Sequence, residues 1–378
     1  MQNKARWISV TTIIITVAAS EAALRLLQWR IPAEAHKWPR REMAVKYEQM
    51  SSHRERDETF DVVFVGNSTT VNGIDPIAFS AATGLPSYNA AFAGGSLRSI
   101  APWTIDVVEP ALRPDVVVVG LQSRDLNDNG KVHRELFNSL MTSPGYRQIS
   151  GGPIQRAEGW LERHSAFFRN RRALRRPAEV FRNATSRRLS SEHPRHGFVG
   201  LYGRRRGKEI VQYQVQDRWV EQQRTQTLND YKVGGRELRA LIALHRALRE
   251  RGVGLILLDM PTTVDYIPLH PKGYRDVRRY RQVLTNFAAE SEVPLLSAAG
   301  AFSGTTHFKD PVHLDAMGRS VLTRYLAAAW GEPKPRQGSP WCLIGDRSPS
   351  RVHHVVDERL NSDAFLAIRA MIWQSCVP

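Results

Sequence analysis

Residues Phe60–Asn72 read FDVVFVGNSTTVN. A run of β-forming residues, Val62, Val63, Phe64 and Val65, stops at Gly66, and three small polar residues follow, Asn67, Ser68 and Thr69. A strand that is apolar at every position is one covered on both faces, and the crevice at the carboxyl ends of such parallel strands is where α/β proteins bind ligands. The stretch therefore predicts the first strand of a parallel sheet with Ser68 at its lip. Taken alone, Gly-Asn-Ser-Thr is also an ordinary turn or helix N-cap composition.

The chain on either side repeats the pattern. Leu85–Asn89 predicts a short second strand opening into AAFAGGS, where Gly94 and Gly95 allow a tight loop. Ile100–Leu112 fits a helix trimmed by Pro102 and Pro110, and Asp115-VVVV-Gly120 is the clearest buried strand in the chain. After an interruption, Glu237–Arg251 has helical periodicity and Gly252 ends it. A strand over Val253–Leu258, a helix over Tyr274–Glu290, a short strand over Val293–Leu296 and a helix over Met317–Trp330 complete the series. Strands alternating with helices predict a parallel sheet covered on both faces.

Outside this body the composition changes. Lys4 and Arg6 precede an apolar run from Trp7 to about Ala19, extended to Leu27 with Glu21 and Arg25 interrupting, so residues 1–30 are expected to be a signal peptide or single-pass membrane anchor. A buried N-terminal helix is the alternative. Arg25, Arg30, Lys37, Arg40 and Arg41 on the far flank argue against export by the positive-inside count, although long domains are translocated regardless. An extracytoplasmic body is the expectation. Residues 31–59 are polar and charged and are expected to form a tether or a short helical lead-in, with the α/β domain over 60–130 and 236–330. Between them, 131–235 is arginine-rich, with RNRRALRRPAEVFRN, SRRLSSEHPRH and GRRRGKE, and reads as a basic insertion or cap, or simply as a solvated face. The net charge of +16 suits an anionic polymer, a membrane surface or nucleic acid. No zinc-finger spacing, RNP-like motif or helix-turn-helix accompanies it, which disfavours nucleic acid. Gly331–Pro340 reads as a linker, and the extension to Pro378 holds the only two cysteines, Cys342 and Cys376, which rule out a disulfide framework or Cys-rich metal site.

A second motif, HFKDPVHLDAMG over His307–Gly318, sets Asp310 and His313 three residues apart just before the last helix. In a loop, that spacing lets the carboxylate reach one ring nitrogen and fix the tautomer while the other nitrogen faces the crevice. A serine hydroxyl needs such a base to become nucleophilic. An Asp capping a helix beside a surface His is the plainer explanation of the same four residues. With Gly66-Asn67-Ser68, the arrangement resembles the SGNH (GDSL-like) hydrolases over roughly Asp61–Asn129 and Val253–Trp330.

The resemblance implies an α/β fold with a flavodoxin-like doubly wound parallel sheet and no cofactor or metal. It matches Ser68 to the nucleophile, His313 to the general base, Asp310 to its orienting acid, and Gly94 (or, in another register, Gly95) to the glycine whose N–H joins that of Ser68 at the oxyanion. Two positions depart from the family pattern. Asn67 stands where many members have Asp, outside the proton relay. Arg124 occupies the place of the Asn that donates to the oxyanion, with Asn127 or Ser123 as substitutes. The expected function is a membrane-anchored serine esterase or O-acyltransferase acting on ester groups of an envelope glycan or lipid. The alternative is a catalytically inactive scaffold binding a polysaccharide or assembly partner. A phosphate loop is excluded by the missing Lys-Ser/Thr, a G-x-S-x-G elbow by Thr70, and His353 and His354 have no metal-ligand spacing.

Overall fold

The computed structural model describes residues 2–27, 41–131, 213–298 and 304–330, together with parts of 140–178 and residue 302. The expectations for 331–378, including Cys342, Cys376, His353 and His354, and for the arginine clusters at 186–196 and 203–209 lie outside the described residues.

In chain order the elements are α1 (Gln2–Leu27), α2 (Arg41–Glu55), β1 (Val62–Gly66), α3 (Ser68–Gly73), α4 (Pro76–Thr83), β2 (Ser87–Asn89), α5 (Leu97–Trp103) and, after a π-helical turn, α6 (Glu109–Leu112). They continue with β3 (Val116–Leu121), α7 (Ala166–Arg175), α8 (Asp217–Gln222) running into a π-helical turn (Gln223–Thr227), α9 (Arg236–Glu250), β4 (Gly254–Asp259), α10 (Tyr274–Glu290), β5 (Leu295–Ser297) and α11 (Ala316–Trp330). The strands form one parallel five-stranded sheet in the order β2-β1-β3-β4-β5.

Alternate residues of the central strands feed two cores, which is why the strands read as unbroken apolar runs. Val63, Val65, Val117, Val119, Leu255 and Leu257 pack with Met43 and Met50 of α2, Leu241 and Leu244 of α9 and Leu284 of α10. Val62, Phe64, Val116, Val118, Ile256 and Leu258 pack with Phe79 of α4 and Leu322 and Leu326 of α11.

Of the two forms expected for 31–59, residues 41–55 take the helical lead-in: α2 buries Met43, Lys46 and Met50 completely, because a Met-x-x-x-Tyr-x-x-Met spacing puts one apolar face toward the sheet. Two other expectations change. Residues 213–235 do not stand apart as a cap: Leu228 is fully buried in a cluster with Tyr266, Leu269 and Val312. The predicted first helix begins at Leu97 rather than Ile100 and widens into a π turn before Pro110, which has no N–H for a regular helical ladder.

The N-terminal segment is a helix, α1, whose Glu21 accepts the N–H groups of Ala166 (2.7 Å) and Phe167 (2.9 Å) at the start of α7. Among the described residues no helix is long and apolar enough to cross a membrane.

Gly66 and Gly120 are paired across β1 and β3, and the side chain of Thr70 lies over both. A Cβ at either glycine would come within 2.2 Å of Thr70 Oγ1, so the first turn of α3 sits on the sheet only because both of these paired positions are glycine. Gly120→Ala is expected to destabilise the fold by about 1–3 kcal/mol through overpacking, and adding Thr70→Ala to recover part of that loss. Denaturant unfolding of the two single variants and the double variant measures the coupling; additive losses would show that Thr70 is not the obstruction.

Candidate active site

Ser68 follows β1 as the first residue of α3, and Asn67 caps that helix, its Oδ1 accepting from Thr69 N (2.7 Å) and Thr69 Oγ1 (2.8 Å). The cap fixes where the chain turns and leaves the Ser68 side chain at the carboxyl end of the sheet, beside the point where strand order reverses between β1 and β3. Asn72 Nδ2 donates to Ser68 O (2.6 Å), and Lys309 Nζ donates to Asn72 Oδ1 (3.2 Å), tying this turn to the loop before α11.

That loop is closed by a bridge between Phe308 and Leu314, in which Lys309 N donates to His313 O (3.0 Å). Within it, Asp310 Oδ1 accepts from the backbone N–H of Val312 (3.0 Å) and His313 (2.9 Å), and Asp310 Oδ2 lies 2.8 Å from His313 Nδ1. His313 Nε2 lies 2.8 Å from Ser68 Oγ. A hydroxyl and an imidazole 245 residues apart thus share a hydrogen bond, with a carboxylate on the far ring nitrogen. Burial alone would raise the Asp310 carboxyl, but the hydrogen bonds from His313 and Val312 outweigh it and hold the group below its ordinary range, so it stays ionised.

The two residues open into a cavity of about 190 Å³ lined also by Gly94, Gly95, Arg124, Lys131 and Trp219. Gly94 has φ of 73°, the left-handed conformation that favours glycine, and at Gly95 a Cβ would come within 2.9 Å of the Phe92 ring. Arg124 lines the cavity with its side chain 13% exposed, Nε 3.8 Å from Asp125 Oδ1. Asn127 does not offer its amide to the cavity: Nδ2 donates to Thr227 O (2.8 Å) and Asn229 O (3.1 Å), and Oδ1 accepts from Lys232 N (3.0 Å). It staples two loops together, and both its N–H groups are used. Ser123 is likewise committed, its Oγ 2.7 Å from Nε2 of the buried His270.

Two contributors were not read from the sequence. The amide-rich edge of α8 and its π turn, Gln222, Gln223 and Gln226 with Trp219, forms one wall of the cavity; only its chain position beside the arginine-rich stretch was visible, and that pointed elsewhere. Asn67, outside the proton relay, bridges the site: its Nδ2 donates to Asp125 Oδ1 (2.7 Å) and Oδ2 (2.6 Å), joining the loops after β1 and β3. Its neighbour Ser68 gave no sign of this, because the partner is 58 residues away.

Burial raises Asp125 from 3.8 to about 6, against the lowering effects of Arg124 and Asn67. A carboxyl whose folded value lies above its unfolded one contributes stability that is fully present below the unfolded value and lost as pH rises through the folded one. The excess stability of wild type over Asp125→Asn is therefore expected to fall by on the order of 3 kcal/mol as pH rises from 3.8 to about 6, and to be flat above. Denaturant titrations at a series of pH values measure it; a difference rising with pH would contradict the buried carboxylate.

No family model matches the chain, and no curated protein matches it. Among solved structures, it is similar to a GDSL-like lipase from Bacteroides thetaiotaomicron at 9% identity and a TM-score of 0.37, covering 75% of this chain and 97% of that one. It is also similar to a catalytic mutant of an acetylxylan esterase from Geobacillus stearothermophilus at 12% identity and a TM-score of 0.35, covering 72% of this chain and 94% of that one. Scores of this size do not carry function from one protein to another, and the side-chain geometry has to bear that weight.

Proposed function

We propose that this chain is an SGNH-type serine esterase or O-acyltransferase. The observation that carries the reading is the continuous contact from Ser68 Oγ through His313 to the Asp310 carboxylate, 2.8 Å at each link. Ser68 Oγ attacks the ester carbonyl as His313 Nε2 takes its proton, while Asp310 holds the Nδ1–H tautomer and stabilises the imidazolium. The N–H groups of Ser68 and Gly94 receive the developing oxyanion, with the Arg124 guanidinium as a charged third donor. His313 returns the proton to the leaving alcohol. Water or a sugar hydroxyl, deprotonated by the same nitrogen, then releases the acyl group.

The lining of the cavity favours a short acyl group on a glycan over a lipid. Among the described residues Trp219 is the one large apolar residue lining it, which offers a long acyl chain little apolar surface, whereas Gln222, Gln223 and Gln226 beside an indole suit a sugar's hydroxyls and its ring face. Lys131 and Arg124 at the same cavity favour an anionic glycan. We further propose that residues 2–27 anchor the body on the outer side of a membrane, a reading supported by the exposure of Ile15, Val17 and Leu26 along α1. Reaction of the anchored protein in intact cells with an impermeant reagent tests the side.

A fluorophosphonate probe is expected to label the folded protein and not Ser68→Ala, and Asp310→Asn is expected to lower kcat on the order of 10⁴-fold by leaving the wrong imidazole tautomer. Hydrolysis of 4-nitrophenyl acetate should exceed that of the decanoate. Absence of labelling in folded wild type would favour a non-catalytic glycan-binding scaffold instead.

A further inference from the structure

β2 is an outer edge of the sheet, and its continuation carries Gly94. On its inner side, Ala90 N donates to Phe64 O (2.8 Å) and Phe92 N to Gly66 O (3.1 Å), so the chain keeps strand-like pairing beyond the end of β2. In an extended chain the intervening groups face the other way. The carbonyls of Asn89 and Ala91 and the N–H of Ala93 therefore point outward, where among the described residues no further strand lies.

Two side chains of α2 occupy that edge. Lys46 Nζ donates to Asn89 O (2.9 Å) and to Ala91 O, and Glu42 Oε2 accepts from Ala93 N (3.1 Å). They stand one turn apart on the helix, 3.9 Å from each other, with Lys46 fully buried and Glu42 8% exposed. Together they supply the donors and acceptor that a sixth strand would.

Covering an edge with a buried ion pair is a costly choice when stability alone is at issue, since an apolar side chain avoids the desolvation. Methionines already do that work one turn to either side, at Met43 and Met50. What a methionine at position 46 could not do is hold two carbonyls in place. The burial that forces this arrangement also lowers the Lys46 ammonium to about 8, and a neutral amine still keeps two N–H donors, one for each carbonyl.

We propose that Glu42 and Lys46 are positioning residues for the oxyanion loop, fixing residues 89–93 from behind so that the N–H of Gly94 is held toward Ser68. The proposal rests on the reading of Gly94 as an oxyanion donor. It assigns a catalytic consequence to a helix that lies outside the α/β repeat and touches no substrate. An oxyanion donor acts through sub-ångström placement, so loosening its loop removes transition-state stabilisation without weakening ground-state binding.

The test uses the full chain and acetyl esters. Lys46→Met and Glu42→Ala are expected to lower kcat on the order of 10²-fold with KM within about twofold. Glu42→Gln, which keeps an acceptor for Ala93 N, should regain most of the loss. A thionoester substrate, whose sulfur accepts oxyanion-hole hydrogen bonds poorly, should lose less in Lys46→Met than the oxygen ester does, which a merely structural role would not produce. If Lys46→Met does not fold, Glu42→Ala with the same readouts decides. Unchanged kcat in the folded variants, or KM and kcat falling together in step with melting temperature, overturns the proposal. Should wild type neither hydrolyse esters nor react with a fluorophosphonate, the esterase reading fails on its own account; amide exchange at Ala93 and Gly94 then tests the clamp, faster exchange in Glu42→Ala supporting it and unchanged exchange overturning it.

Discussion

The register between β1 and β3 governs everything at the site. Gly66 faces Gly120 near the carboxyl ends of the two strands, and in this strand order their connections run to opposite sides. Ser68 and Arg124 are each delivered a few residues beyond that glycine pair, so they meet over the resulting crevice. A one-residue slip would turn Val63 and Val65 out of the core they share with α2 and α9, and Thr70 would lose its seat. The position of Ser68 is thus secured by the whole apolar content of two strands.

Charge is buried around this crevice as well as at Glu237, Asp259 and Asp276 elsewhere in the fold. Asp125, Asp310, Lys46 and Lys309 are all largely withdrawn from water, and each is bound to a loop that forms the cavity or its support. Burial disfavours the ionised form of each, and for Asp310 only the hydrogen bonds reverse the balance. A core built for stability would replace such groups with apolar ones. Their clustering is the arrangement expected where backbone groups at loop ends have to be held in one orientation.

How much of this was legible in the sequence depends on how local each determinant is. The valine runs at Val62–Val65 and Val116–Val119 report burial on two faces, and the structure has strands there. Asp310 and His313 are bonded within four residues of chain, so their spacing carried the geometry. Lys46 sat in a stretch whose mean composition is polar, and only its long-range partners, Asn89 and Ala91, reveal why it is buried. Asn127 looked like a spare donor because it follows the strand after Arg124; its amide is consumed by Thr227 and Asn229, about a hundred residues further on. Trp219 and the glutamines of α8 were hidden for the same reason, by lying in a stretch dominated by arginines.

The two departures from the pattern of the family that the chain resembles turn out to be neighbours in space. Asn67 Nδ2 donates to both oxygens of Asp125, and Arg124 Nε lies 3.8 Å from the same carboxylate. An aspartate at position 67 would set two buried carboxylates against each other at hydrogen-bond distance, and one would have to take up a proton. Asparagine removes that conflict and lets Asp125 act as a single anchor between the loops. The guanidinium at position 124 then balances the one remaining negative charge and still faces the cavity. Taken one at a time along the chain, the two departures look unrelated; connected through Asp125, they form one exchange that keeps the switch point near neutrality while leaving a guanidinium in the cavity that Ser68 also lines.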